Sequence, residues 1–141
     1  MSKPTIQVAI DAENPYQLAR FWAAVTGYEM EDHHEMIGEI IDAGYATLDD
    51  TMEIDGRRHW ATASACRDTD GHGPRLLFQK VPERKTVKDR IHLDLHFGDG
   101  DRDAEVARIL ALGATKLWDG QQGPQSWVTF ADPEGNEFCV A

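Results

Sequence analysis

Histidine and aspartate residues alternate with apolar residues over positions 91–97, which read Ile-His-Leu-Asp-Leu-His-Phe. Because successive side chains of a β-strand point to opposite faces, His92, Asp94 and His96 share one face of such a strand. Imidazole and carboxylate groups in that arrangement can transfer protons near neutral pH. Asp94 and His96 are therefore candidate catalytic residues, and the face that carries them is expected to be wet, hydrogen-bonded or in contact with a ligand.

The same residue types also have simpler interpretations. His92 and Asp94 could hydrogen-bond only to each other or to neighbouring strands, because buried polar groups are nearly always paired. Cys139 could be a small buried apolar residue rather than a reactive thiol. In the run Asp-His-His-Glu at 32–35, adjacent side chains diverge on any regular element, which favours a solvated turn over a metal site.

The composition restricts the classes of partner. The chain has 141 residues, a formal net charge of -11 and a pI near 4.8, so its surface repels nucleic acids and anionic membranes. No apolar run approaches the roughly 20 residues that span a bilayer, and residues 1–4 lack a signal-peptide profile. We therefore expect a cytoplasmic protein in which Cys66 and Cys139 are free thiols.

The first part of the chain has the pattern of a strand, a helix and a second strand. Residues 5–10 alternate as in a strand, and residues 28–31 suit a short one. Between them, Asn14 supplies an N-cap, Pro15 a first-turn proline and Gly27 a terminator. These signals predict a helix over 14–26.

Residues 32–57 interrupt this pattern and are interpreted as an insertion, with a short amphipathic helix predicted around residues 36–41. After it, 59–66 and 75–81 have the composition of strands, and the polar, basic residues 83–90 that of a linker. The last part repeats the opening order: the strand at 91–97, a helix over 103–112, and strands near 114–118, 126–131 and 136–141.

The two halves therefore look like copies of one βαβββ unit. Gln7 aligns with His92 at an offset of 85 residues, and Phe78-Gln79 aligns with Phe138-Cys139. One such unit cannot cover both faces of its own sheet, so two copies are expected to combine their strands.

Several short segments together carry a family resemblance. They are LARFW at 18–22 with Gly27, FQKVP at 78–82 with Lys88, RIHLDL at 90–95, LGA at 112–114 and DPEGNEFC at 132–139. On these segments the chain resembles the vicinal oxygen chelate superfamily, which includes glyoxalase I, bleomycin-resistance proteins and extradiol dioxygenases. Within that superfamily it is most similar to the glyoxalase-like branch.

The resemblance implies an α+β fold in which two tandem βαβββ modules form a curved mixed sheet, a cup, with the helices on the outside. We expect one domain over 1–141, with module 1 over about 4–82, the insertion at 32–57, the linker at 83–90 and module 2 over 91–141. The resemblance also implies a homodimer.

Four strand positions of the superfamily hold a divalent metal in its metal-using members. The resemblance carries these positions onto Gln7, Gln79, His92 and Cys139. This donor set has no carboxylate and would bind hard metals poorly, so it does not favour a glyoxalase I reaction. Asp94 or His96 could substitute as a donor on the same face.

Three hypotheses for the function follow. In the first, the protein is a lyase, isomerase or dioxygenase that acts on a small oxygenated compound, with or without a divalent metal. In the second, it binds or sequesters a small molecule without a metal, as bleomycin-resistance proteins do, and the four strand residues line the cleft with Trp60, Trp118 and Trp127. In the third, it is a scaffold whose cup is filled by its own side chains. The missing carboxylate favours the second and third hypotheses.

Overall fold

The computed structural model describes residues 2–141 and has the predicted α+β architecture. The chain divides into two compact units, one up to Glu83 and one from Arg84 onward. In the first unit the elements are β1 (Gln7–Ala12), α1 (Pro15–Thr26), β2 (Glu29–Met30), α2 (His34–Asp42), β3 (Thr51–Ile54), β4 (Arg57–Trp60), β5 (Ala63–Arg67) and β6 (Arg75–Lys80). In the second unit they are β7 (Leu93–Leu95), α3 (Arg102–Ala111), β8 (Thr115–Gln122), β9 (Gln125–Ala131) and β10 (Glu137–Val140).

Helix α1 forms where its capping residues predict it. The Asn14 side chain accepts a hydrogen bond from the backbone N–H of Gln17 at 3.3 Å, which satisfies one of the free donors of the first turn. Gly27 ends the helix with φ 75°, a left-handed conformation that costs glycine little. The buried stripe of the helix, which includes Leu18 and Trp22, packs toward β5 and β6.

Each unit contains a four-stranded mixed sheet of the same topology. The order is β1-β6-β5-β2 in the first unit and β7-β10-β9-β8 in the second, and in both the first strand pairs in parallel with the last. This repetition confirms the two tandem βαβββ modules. The position of the helices outside a common cup remains a prediction.

The pairing register refines the alignment of the two modules. Ile10 lies opposite Phe78, and Leu93 lies opposite Phe138. When the two phenylalanines are matched, the opening strands align from Ile10 to Leu93, an offset of 83 rather than 85 residues. Because the difference is an even number, the predicted faces of the strands do not change.

The insertion contains the predicted helix, and a hairpin that was not predicted begins within it and continues to Trp60. Strands β3 and β4 pair across Asp55 and Gly56, which both have positive φ, at 52° and 79°. An Asp-Gly pair in this conformation is typical of tight hairpins. The single strand predicted over 59–66 is therefore wrong: β4 pairs with β3, whereas β5 pairs with β6.

Two strands of the second unit differ in length from the prediction. Strand β7 is limited to Leu93–Leu95, so His92 and His96 lie at its two ends. Strand β8 extends to Gln122, well beyond the predicted end at 118, because it pairs with β9 along its full length. Among the described residues, no helix has both the length and the hydropathy to cross a bilayer.

Candidate functional site

The sheet of the second unit has one apolar and one mixed face. Phe130, Phe138 and Val140 point to the apolar side and are fully buried. Because side chains alternate along each strand, their neighbours Thr129 and Cys139 point to the other side.

A row of four side chains crosses this second face. Asp94 of β7 pairs with Cys139 of β10, Cys139 with Thr129 of β9, and Thr129 with Trp118 of β8. Residues paired across neighbouring strands place their side chains in contact on one face. The row therefore runs from a carboxylate, through a thiol and a hydroxyl, to an indole.

His92 and Asp94 form a hydrogen-bonded pair at the polar end of this row. The distance from His92 Nδ1 to Asp94 Oδ1 is 2.8 Å. A carboxylate accepts this bond, so the proton lies on Nδ1 and the Nε2 of a neutral imidazole becomes an acceptor or a metal ligand. Ligand atoms of His92, Asp94 and Cys139 all lie within 4.8 Å of one another.

The Cys139 thiol is protonated near neutral pH. Burial raises its pKa above the ordinary value, and the negative charge of Asp94 adds to this effect. The thiol is also within 3.3 Å of Thr129 Oγ1. A thiol in this state is a weak nucleophile, because the thiolate is the reactive form.

An ion pair lies beside the row. The Lys88 ammonium contacts the Glu137 carboxylate, and its nitrogen is 5.6 Å from the centre of the Trp118 ring. The bond from Lys88 lowers the pKa of Glu137, which is therefore ionised at neutral pH. Asp89 accepts a hydrogen bond of 2.7 Å from the backbone N–H of Glu137 and so fixes the linker to β10.

These side chains line a cavity of about 480 Å³, a size typical of small-molecule sites. Its polar groups lie on or beside β7, on β9, on β10 and in the linker, and its two indoles, Trp118 and Trp127, lie on β8 and β9. The full lining is Lys88, His92, Asp94, His96, Trp118, Gln125, Ser126, Trp127, Thr129, Glu137, Cys139 and Ala141.

Six of the predicted site residues line this one cavity: His92, Asp94, His96, Trp118, Trp127 and Cys139. They line the same cavity because side chains alternate between the two faces of each strand, which places these residues on one face of the sheet.

The other three predicted site residues belong to the first unit. Gln7 lies opposite Arg75 and accepts a hydrogen bond of 2.9 Å from it. Gln79 lies opposite Asp11 at the other end of the β1–β6 pair, and Trp60 lies opposite Thr51. Participation of Gln7, Gln79 and Trp60 in the same site as His92 remains a prediction.

The sequence interpretation missed Lys88, Thr129 and Glu137 as cavity residues. Strand alternation could have identified two of them. Thr129 lies two positions after Trp127 and Glu137 two positions before Cys139, so each shares a strand face with a residue that was identified. Lys88 lies in an irregular segment, where periodicity gives no face.

Comparison with known proteins identifies the family and the fold. Residues 7–141 match the glyoxalase-like domain family. No sequence among the curated proteins matches the chain.

Solved structures from several bacteria share the fold at low identity. The fosfomycin resistance protein FosX from Mesorhizobium loti is 12% identical with a TM-score of 0.64, over 99% of this chain and 91% of that one. A glyoxalase/bleomycin resistance protein/dioxygenase family enzyme from Burkholderia phytofirmans is 17% identical with a TM-score of 0.61, over 95% and 94%. A mutant of FosX from Listeria monocytogenes, in complex with Mn(II) and 1S,2S-dihydroxypropylphosphonic acid, is 10% identical with a TM-score of 0.64, over 99% and 90%.

Proposed function

The chain belongs to the glyoxalase-like domain family, and from this membership we propose that the cavity of its second unit binds a small oxygenated organic molecule. One observation carries the proposal: a single cavity is lined both by hydrogen-bonding groups, among them the His92–Asp94 pair, and by two indoles. Pockets that combine apolar walls with a few convergent polar groups are typical small-molecule sites.

The His92–Asp94 pair would hold the oxygen atoms of the ligand. The Nε2 of His92 faces a ligand either as an acceptor for a hydroxyl or, when protonated, as a donor to a carbonyl. The hydrogen bond from Nδ1 to Asp94 fixes the ring in one orientation. The hydrocarbon part of the ligand would lie against Trp118 and Trp127, which exclude water from it.

The same pair of residues could also move a proton. With Asp94 holding Nδ1–H, His92 Nε2 can accept a proton from a bound ligand, and Asp94 stabilises the imidazolium that forms. His96 lines the same cavity as a second acid or base. An isomerase or lyase reaction on an acidic C–H or O–H bond is the enzymatic form of the proposal.

Calorimetric titration of the purified protein with a panel of phenols, naphthols and short hydroxy ketones tests the binding. We expect at least one compound to bind, and Asp94→Asn to weaken it by about 10- to 100-fold, because a hydrogen bond to a charged group contributes about 1.5–3 kcal/mol. Asp99→Asn removes the same charge from an exposed residue of the same unit and should leave the affinity unchanged. Failure of every compound to bind, or an equal loss in both variants, would contradict the proposal.

A metal-dependent function is the second candidate, and the donor cluster is the observation that favours it. An imidazole nitrogen, a carboxylate oxygen and a thiol sulfur within 4.8 Å of one another suit three-ligand transition-metal sites with an open position, zinc above all. His92, Asp94 and Cys139 would hold the ion, and this set contains the carboxylate that the set carried over from the superfamily lacks. A bound ion would supply Lewis-acid polarisation of a ligand oxygen.

Elemental analysis of protein purified without chelators or an affinity tag separates the two candidates. A stoichiometric metal that is lost in His92→Ala and retained in His72→Ala, an exposed histidine of the first unit, would establish the metal-dependent form. Equal metal content in both variants would contradict it.

A further inference from the structure

Gly120 and Trp127 are paired across β8 and β9 in an arrangement that leaves no space for a side chain at position 120. A Cβ atom built on Gly120 would lie 2.1 Å from Cε2 of Trp127, 2.2 Å from its Nε1 and 2.5 Å from its Cζ2. The indole therefore lies over the glycine, in the volume that any other residue would fill.

The backbone does not require this glycine. Gly120 lies within strand β8, and glycine inside a strand is unfavourable because it packs no side chain and loses more entropy on folding. Alanine at this position would normally stabilise the strand. The glycine is explained by the ring of Trp127 that covers it.

Trp127 is also a wall of the cavity. Its ring is rigid, so its overlap with a Cβ atom cannot be relieved by a small change of a flexible side chain. Position 120 and Trp127 are paired and so project from the same face of the sheet, the face that carries the cavity residues Trp118 and Thr129. A side chain at position 120 would therefore move the indole into the cavity and narrow it.

We propose that Gly120 is the positioning residue that sets the size of ligand the cavity accepts, by leaving room for the Trp127 ring over position 120 of β8. The inference rests on the proposed function, since it assigns a size limit to that same cavity. It predicts that the wild-type cavity takes a two-ring compound, and that a single methyl group at position 120 restricts it to one ring.

Calorimetric titration with 2-naphthol and with phenol tests this size limit. Gly120→Ala should weaken 2-naphthol binding by about tenfold or more, which is roughly the effect of 1.4 kcal/mol of strain, and change phenol binding much less. The matched control is Gly38→Ala in α2, where a Cβ atom meets nothing within 4 Å; it should bind both compounds as the wild type does.

A thermal-unfolding cycle tests the contact itself without any ligand. Gly120→Ala should lower Tm by about 3–6 °C in the wild type, as expected for a core overlap, and by much less in a Trp127→Ala background, where no ring is present to displace. Equal Tm losses in the two backgrounds would overturn the inference.

The two measurements distinguish the failure of the inference from that of the proposed function. If the wild type binds 2-naphthol and Gly120→Ala binds it equally well, the size limit is wrong while the binding function stands. If the wild type binds neither compound nor any other member of the panel, the proposed function fails and the size limit fails with it.

Discussion

The hydrogen bond between His92 and Asp94 decides which hydrogen bonds His92 can offer to a ligand in the cavity. A 2.8 Å contact to a carboxylate places the proton on Nδ1, which leaves Nε2 available to a ligand or an ion. Without Asp94 the ring could adopt either tautomer and rotate. The chemistry of the site therefore depends on both His92 and Asp94, because the Asp94 carboxylate fixes the orientation of the His92 ring.

Cys139 belongs to the same cluster but is predicted to react slowly. Its pKa is raised by burial and by Asp94, so only a small fraction is thiolate at about pH 7.5. We expect iodoacetamide to modify it far more slowly than free cysteine, with a rate that still rises above about pH 9. Mass spectrometry of timed samples gives the rate.

Cys66 provides the internal comparison for this experiment. It is fully buried, and burial raises its pKa to about 12, so its modification should be slower still. If Cys139 is modified at the rate of free cysteine at about pH 7.5, it is a thiolate at that pH. This result would contradict the prediction that Cys139 is a weak nucleophile.

At the scale of the elements, an ion pair ties the strands of the first sheet together. Arg75 at the start of β6 donates to both oxygens of Glu31, just after β2, at 2.6 and 2.9 Å. The bond from Arg75 is the largest cause of the lowered pKa of Glu31. Arg75 also donates to Gln7 of β1, so it links three of the four strands of the sheet.

This pair predicts a dependence of stability on pH. Because the pKa of Glu31 is lower in the folded than in the unfolded state, its stabilisation is fully present above the unfolded value of about 4.5 and is lost as the pH falls through the folded value. Glu31→Gln should therefore reduce the free energy of unfolding by about 1–3 kcal/mol at pH 7 and by little at about pH 2.5. Urea denaturation at both pH values measures the difference.

The neighbouring exposed residue Glu29 supplies the control. Glu29→Gln removes the same charge and should change the free energy of unfolding by less than about 0.5 kcal/mol at either pH. A loss in Glu31→Gln that is equal at the neutral and the acidic pH would contradict the role given to the ion pair.

The elements that the sequence predicted best are those with local signals. Helix α1 has a proline at its first position, an N-cap directly before it and a terminating glycine directly after it, and its bounds were predicted to within a residue. Strand β8 was predicted too short because Gly120 and the two glutamines that follow it have weak strand propensity. Its length comes from pairing with β9, which is a contact between segments.

The candidate site likewise combines residues that local sequence patterns predict with residues that only contacts between distant segments bring together. The alternation in β7 predicted that His92, Asp94 and His96 share a face, and the family resemblance added Cys139. The place of Lys88 beside Glu137 depends on the path of an irregular linker, which no periodicity describes. The overlap of Trp127 with position 120 depends on the strand register, and a sequence pattern does not specify that register to the residue.

At the scale of the whole molecule, the family and the tandem modules are established, and the assembly remains a prediction. The resemblance to the superfamily implies a homodimer. Sedimentation velocity at several protein concentrations should therefore give a species of twice the chain mass of 15.8 kDa. A single species at the mass of one chain across the micromolar range would contradict that prediction.

The central claim is that the cavity of the second unit binds a small molecule. Its most direct test is an NMR spectrum of the four tryptophan indole N–H groups, assigned with Trp→Phe variants and recorded during titration with 2-naphthol. We predict that the signals of Trp118 and Trp127 move and saturate together, while that of Trp22, buried in α1, stays in place. A movement of the Trp60 signal would also support its predicted place in the same site. If the signals of Trp118 and Trp127 both stay unchanged at saturating probe, the cavity of the second unit is not the binding site.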